Sequence, residues 1–209
     1  MDTFIFIVII LIFLFSVILH EISHGFAADY LGDSTPRLAE RLTLNPLKHL
    51  DLFGSILLPL LLILSNSNIV FGWAKPVPIN PSNLKDKKYG GAKVAFAGPA
   101  ANFLVALVFG FILRFLPFDN SLFIQNLVLV FGYIVWVNLL LAVFNLMPIP
   151  PLDGSHILFA FLPATFNGLK VFLLQYGIFI LIFFMFFLFP LLIPLIRFIF
   201  SLIVGVPFF

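Results

Sequence analysis

Apolar residues come in long blocks along this chain, at roughly 3–28, 52–64, 92–118, 121–147, 152–163 and 171–208, separated by stretches rich in Pro, Gly, Asn or charge. Such blocks predict helices that cross or partly cross a bilayer, because a span needs about 20 apolar residues. The block at 52–64 differs. Its uncharged core is about thirteen residues long and holds Pro59, which predicts a re-entrant or interfacial segment in place of a span. The last block is too long for one span and is broken by Pro190 and Pro194, so one helix plus a return or interfacial helix is expected, with lipid-facing packing as its role. Between 72 and 81, Pro76 and Pro78 push the residues before them towards extended backbone, and a short extended or β element is expected there.

Composition agrees with that pattern. Hydrophobic residues make up 62% and charged residues 10% of the 209, which excludes an ordinary soluble domain. The expectation is an all-α polytopic membrane protein with about five or six membrane helices, folded as a single membrane-embedded domain over 1–209. Cysteine is absent, so any metal must be held by His and carboxylate. The first apolar run lacks a basic leader and a small-residue cleavage pattern, and reads as a retained first helix. Arg37, Arg41, Lys48, Lys75, Lys85, Lys87, Lys88 and Lys93 hold most of the positive charge, which predicts a cytoplasmic 30–93 region and an outside N-terminus. Nothing in the charge pattern points to nucleic acid.

The candidate chemistry begins at the end of the first apolar run, in His20-Glu21-Ile22-Ser23-His24. Positions i and i+4 lie one turn apart on a helix face, so His20 and His24 can grip one metal ion, with Glu21 placed to take a proton from the water that the metal activates. Thr3 to Leu19 carries no charge, and ionisable groups at bilayer depth are costly without a partner. A bound cation is the simplest partner. A catalytic zinc usually takes three protein ligands and leaves a place for water. Asp153 is the only acid after Asp119, and it follows prolines at 148, 150 and 151 that must break a helix. It is the expected third ligand; the alternative is that it caps the next helix.

His20 to Gly25 together with Asn145-Leu-Met-Pro-Ile-Pro-Pro-Leu-Asp-Gly154 resembles the site-2 protease family of intramembrane zinc metalloproteases. Leu44 to His49, Gly72 to Pro78 and Ala97 to Asn102 also resemble family segments in the same order, so the likeness covers roughly 18–156, and the final fifty residues carry no such signal. The resemblance implies an endopeptidase with one catalytic zinc ion, cutting peptide bonds in or near transmembrane segments of a membrane-protein substrate. It places His20, His24 and Asp153 on the metal, Glu21 as general base, and Asn145 against the substrate backbone or oxyanion. A compact form without a PDZ or CBS domain is expected, and Ser155 stands where many members have a second glycine.

The alternative reading is a membrane zinc transporter, which accounts for His20, His24 and Asp153 but gives no reason for Glu21 beside His20. The expected location is the cytoplasmic membrane of a prokaryote, with the site towards the cytoplasm; oligomeric state and substrate identity are not legible. Weaker expectations concern single residues. Trp73 is a candidate for site entry, Asn102 for bonding across helices, and Ala97, Gly98, Ala100 and Ala101 for close packing. His156 is expected beside the metal ligands or on a polar face, and His49 in a solvated or interfacial place.

Overall fold

A computed structural model of the chain describes residues 3–65, 74–116 and 121–208. These fold into helices, with no strand among the described residues. In chain order they are α1 (Thr3–Tyr30), α2 (Thr35–Leu38), α3 (Leu58–Leu64), α4 (Gly90–Phe115), α5 (Leu122–Asn145), α6 (Asp153–Phe161), α7 (Asn167–Phe183) and α8 (Leu192–Val204).

Among the described residues, four helical stretches are long and apolar enough to cross a membrane: Ile5–Tyr30, Gly90–Phe115, Leu122–Asn145 and Ala164–Val204. The expected five or six therefore resolve into four candidate spans plus shorter helices. The 52–64 block is a π-helical turn, Leu52–Leu57, running into α3, and at about 1.5 Å per residue these thirteen residues are about 20 Å long. Large apolar side chains cover the outside, among them Phe6, Ile7, Phe13, Phe15, Phe111 and Phe179. An apolar surface on that scale belongs against lipid, and this is an integral membrane protein.

α4 is the central element, with α1, α5, α6 and α8 all packed on it. It tolerates Pro99 in its interior, and its buried face carries Ala92, Ala95, Gly98, Asn102, Ala106 and Gly110. Small residues let neighbouring backbones approach closely, which in lipid is the main source of helix packing energy. Gly110 shows the reason: a Cβ there would fall on the Cγ2 of Ile203 in α8.

The C-terminal block corrects an expectation. α7 runs through a π turn (Phe184–Leu188) and a 3₁₀ turn (Phe189–Leu191) into α8, so the expected break is only a change of helix type around Pro190, with Pro194 inside the first turn of α8. However, α8 is not simply lipid-facing. Leu192, Ile196, Phe200, Ile203 and Val204 share one core cluster with Ala106, Leu113, Val135 and Leu139. Their spacing of three and four puts them on one stripe, and that stripe closes the α4–α5 core. Arg114, in the last turn of α4, donates from Nη1 to the carbonyl of Leu202 at 2.9 Å, satisfying a helix-end acceptor of α8.

Candidate functional site

α1 changes character along its length. Its first half exposes Phe6, Ile7, Ile10 and Leu11, whereas its second half buries Ser16, Ile18, His20, Ile22 and His24. The two histidines, one turn apart, face the start of α6. There the break at 146–152 ends with Leu152, and Asp153 opens the helix. The capping alternative for Asp153 fails, since α6 has no side-chain cap bond. Its Oδ2 instead lies 3.1 Å from His20 Nε2 and 3.3 Å from His24 Nε2, and the two Nε2 atoms are 3.1 Å apart.

Those contacts are not ordinary hydrogen bonds. His24 Nδ1 lies 2.8 Å from the carbonyl oxygen of Val94, which can only accept, so the ring proton sits on Nδ1. His20 Nδ1 likewise donates to Asn102 Oδ1 at 2.7 Å. Each neutral ring then presents a bare lone pair at Nε2, and both lone pairs meet a carboxylate oxygen that is buried and has no hydrogen-bond partner. Three such atoms, all within 4.8 Å of one another, could hold one cation between them. Two imidazoles and one carboxylate, without thiolate, form a donor set suited to a borderline divalent ion such as zinc.

The surroundings hold this arrangement in place. Asn102 and Asn138 are fully buried, and the Asn102 amide donates to Asn138 Oδ1 at 2.8 Å and to the Ser16 carbonyl at 3.1 Å. Asn138 in turn donates to Ser16 Oγ at 2.9 Å. This relay ties α1, α4 and α5 together and fixes the His20 tautomer, as partners behind metal-binding histidines do. The expectation for Asn102 holds; Asn138 and Ser16 were missed, although both are polar residues inside spans and so detectable by their cost.

Gly98 has a closer part than general packing. A Cβ there would lie 2.5 Å from His24 Nε2 and 2.7 Å from His20 Cε1, so only glycine lets α4 pass behind both rings. Gly154 is equally constrained, because a Cβ would strike the Leu146 carbonyl at the end of α5. That tight turn aims Asp153 back at α1.

Glu21 is half-buried, and its Oε2 accepts from the backbone N–H of Val77 at 3.1 Å. The segment 74–80 is thus beside the site as expected, but it is an extended strap without strand pairing. Lys75 N donates to His49 O, Arg41 Nη2 donates to the Lys75 and Pro76 carbonyls, and Asn80 N donates to Asp33 Oδ2. Asp33 is fully buried. Burial pushes its carboxyl pKa up, but bonds from the Thr35 hydroxyl, the Asn83 amide and the Asn80 and Thr35 N–H groups outweigh burial and hold it below the ordinary value.

His49 corrects another expectation. It is buried, not solvated, because its Nε2 bonds the Thr43 carbonyl at 2.8 Å while its backbone anchors the strap. His156 is exposed and lines a separate cleft. Asn145 ends α5 with its amide donating to Leu141 O of its own helix at 3.0 Å. Gly72 and Trp73 lie outside the described residues.

The sequence profile described as Peptidase family M50 matches residues 118–188, which carries the family signal beyond the expected limit near 156. Over 148 residues, 68% of this chain, the sequence is 39% identical to YwhC of Bacillus subtilis and covers 64% of it. Over 151 residues, 72% of this chain, it is 32% identical to Rip2 of Mycolicibacterium smegmatis and covers 55% of it. A Methanocaldococcus jannaschii protein is 44% identical over 66 residues, 32% of each chain. All three are named as candidate zinc metalloproteases, and the chain spans less than two thirds of each. No solved structure matches the chain. The profile match and these relatives agree with the resemblance carried by the HExxH and Leu-Asp-Gly motifs: over the matched residues the chain is similar to peptidase family M50, the site-2 protease family.

Proposed function

We propose that the protein is an intramembrane zinc endopeptidase that hydrolyses peptide bonds in or near transmembrane segments of other membrane proteins. The carrying observation is the convergence of His20 Nε2, His24 Nε2 and the unpartnered Asp153 Oδ2 one residue away from Glu21. In this reading those three side chains hold one zinc ion. When bound, zinc supplies Lewis acidity, making water a nucleophile and polarising a peptide carbonyl. Glu21 takes the proton of the attacking water and delivers it to the leaving amide nitrogen. The Val77 N–H holds one Glu21 oxygen in place, which leaves the other for that transfer. Asn145 would bind the substrate backbone.

The engagement of the strap with Glu21, Arg41, His49 and Asp33 supports a role as a wall of the site. Similarity to a peptidase family supports the protease and gives the transporter reading no support. Glu21→Gln separates the two chemically. Gln is nearly isosteric but cannot take the proton, so purified Glu21→Gln should bind zinc stoichiometrically and cleave a membrane-embedded test substrate about 10²- to 10⁴-fold more slowly. Near-wild-type cleavage by that variant, or zinc flux without proteolysis by the wild type in liposomes, would refute the proposal.

For topology we infer that 30–93 faces the cytoplasm and that the 52–64 block re-enters on the same side, because that keeps eight basic residues together. Single cysteines at Ser34 and Lys87 should then react with an impermeant label from the same face of sealed vesicles. Labelling from opposite faces overturns the re-entrant arrangement.

A further inference from the structure

A second concavity, of about 790 Å³, opens beside the metal site between the 81–92 region, the start of α6 and one face of α7. Its volume falls in the range of small-molecule sites. Pro150, Pro151 and Ser155, which flank Asp153 in sequence, form part of its wall. The metal chemistry uses none of its charged groups.

Those charges are unbalanced. Lys87, Lys88 and Lys170 line the cleft, and Asp86 is the one acid among the described lining residues. Asp86 is already matched by Lys93, with Nζ to Oδ2 at 2.7 Å, and Lys93 lies outside the lining. None of the three lysines forms an ion pair among the described residues. The Lys87 ammonium donates to the Ser82 carbonyl, while those of Lys88 and Lys170 sit 4.7 Å and 5.4 Å from the ring centres of Tyr89 and Phe159. Neutral partners orient these heads and leave their charge unspent.

The α7 wall adds a second feature. Lys170, Leu174 and Ile178 are spaced four apart and so share one face, with the cation near the helix start and the apolar pair further along. Leu174 and Ile178 remain 59% and 52% exposed, so this strip has no protein cover. A cationic mouth continuous with a bare apolar strip matches a molecule that carries an anion and a hydrocarbon chain together. An acidic segment of a partner protein would use the lysines and leave the strip uncovered, and inorganic phosphate would do the same.

We propose that the cleft is a binding site for one anionic phospholipid, its headgroup phosphate held by Lys87, Lys88 and Lys170 and an acyl chain laid along Leu174 and Ile178. Basic recesses between membrane helices are suited to this, each lysine near the surface adding about a fivefold gain in affinity.

The test is native mass spectrometry of the purified full chain titrated with phosphatidylglycerol, with phosphatidylcholine as the neutral control. Wild type should retain one phosphatidylglycerol at least about tenfold more tightly than phosphatidylcholine. Lys87→Ala/Lys88→Ala/Lys170→Ala should weaken that retention by about a hundredfold, and the triple Lys→Arg variant should keep it. Thermal unfolding of the alanine variant in phosphatidylcholine should match wild type, which separates loss of the site from loss of the fold. Equal retention of the two lipids, unchanged retention by the alanine variant, or loss in the arginine variant as well would overturn the proposal. Displacement of the lipid by millimolar inorganic phosphate would reduce the site to a phosphate site. Saturable binding of an acidic peptide in preference to the lipid would make it a protein-docking surface.

Discussion

The metal end of the bundle and the C-terminal α7–α8 stretch are both built from apolar sequence, yet they are held by different forces. At the metal end, Ser16, His20, His24, Asn102 and Asn138 are buried inside the helices, and each meets a named partner. In the C-terminal stretch, α7 buries only Gly177, and the buried face of α8 is entirely apolar. A polar group in a membrane interior must find a partner within the protein, which makes its bonds directional and its position narrow. An apolar side chain gains nearly as much from lipid as from another helix, so shape alone decides where it goes. The metal end should therefore respond to substitution through ligand geometry, and the C-terminal stretch through packing energy.

The largest expected effect tests the metal end directly. Asp153→Ala removes a ligand and should abolish stoichiometric zinc in the purified protein, a greater loss than the about 10- to 100-fold that changes behind the ligands cause. Phe200→Ala removes a 2%-exposed core side chain of α8 and should lower thermal stability while leaving the zinc-to-protein ratio unchanged. Zinc retained in Asp153→Ala but lost in His49→Ala would show that the ligand set has been misassigned.

The same contrast explains what could be read from sequence. The meeting of His20, His24 and Asp153 was legible because ionisable groups at membrane depth are rare and the spacing of the two histidines has a chemical reason. The proline break before Asp153 was legible because proline cannot continue a helix. The burial of His49 was not, since it depends on the Thr43 carbonyl and on a strap twenty-six residues further on, at Lys75. Nor was the core face of α8. Leu192, Ile196 and Phe200 are chemically as suited to lipid as to α4, and only the turn at 184–191 decides between them. Gly98 was read as a packing residue because a glycine's closest neighbours are invisible until two helices are placed together.

Paired glycine substitutions sharpen the comparison further. Gly98→Ala places a methyl 2.5 Å from His24 Nε2, and neither the α4 backbone nor a ring bonded to Val94 O can yield without moving a ligand. Zinc affinity should fall towards the upper end of the 10- to 100-fold range. Gly177→Ala places one 2.7 Å from Pro150 Cβ and from its carbonyl oxygen. There α7 can shift away, and the expected result is about 1–3 kcal/mol of lost stability with zinc affinity intact. The reverse outcome, with zinc lost in Gly177→Ala and kept in Gly98→Ala, would mean that α7 and not α4 sets the ligand geometry.

The smallest effect probes the relay behind His20, where acceptor and donor roles can be separated at one residue. Asn102 Oδ1 accepts from His20, while its amide donates to Asn138 Oδ1 and to the Ser16 carbonyl. Asn102→Ala deletes both roles, leaving the ring free to turn and buried acceptors bare, so zinc affinity should drop about tenfold. Asn102→Asp keeps an acceptor for the His20 N–H but loses the donors. It should hold zinc nearly as well as wild type while unfolding earlier by about 1–3 kcal/mol, the cost of leaving buried acceptors unsatisfied. Competition against a zinc chelator and thermal unfolding in the same detergent read the two quantities independently. If Asn102→Asp lost zinc as fully as Asn102→Ala, the relay would act by holding the helices together and not by fixing the His20 ring, and the distinction drawn between the two ends of the bundle would lose its clearest support.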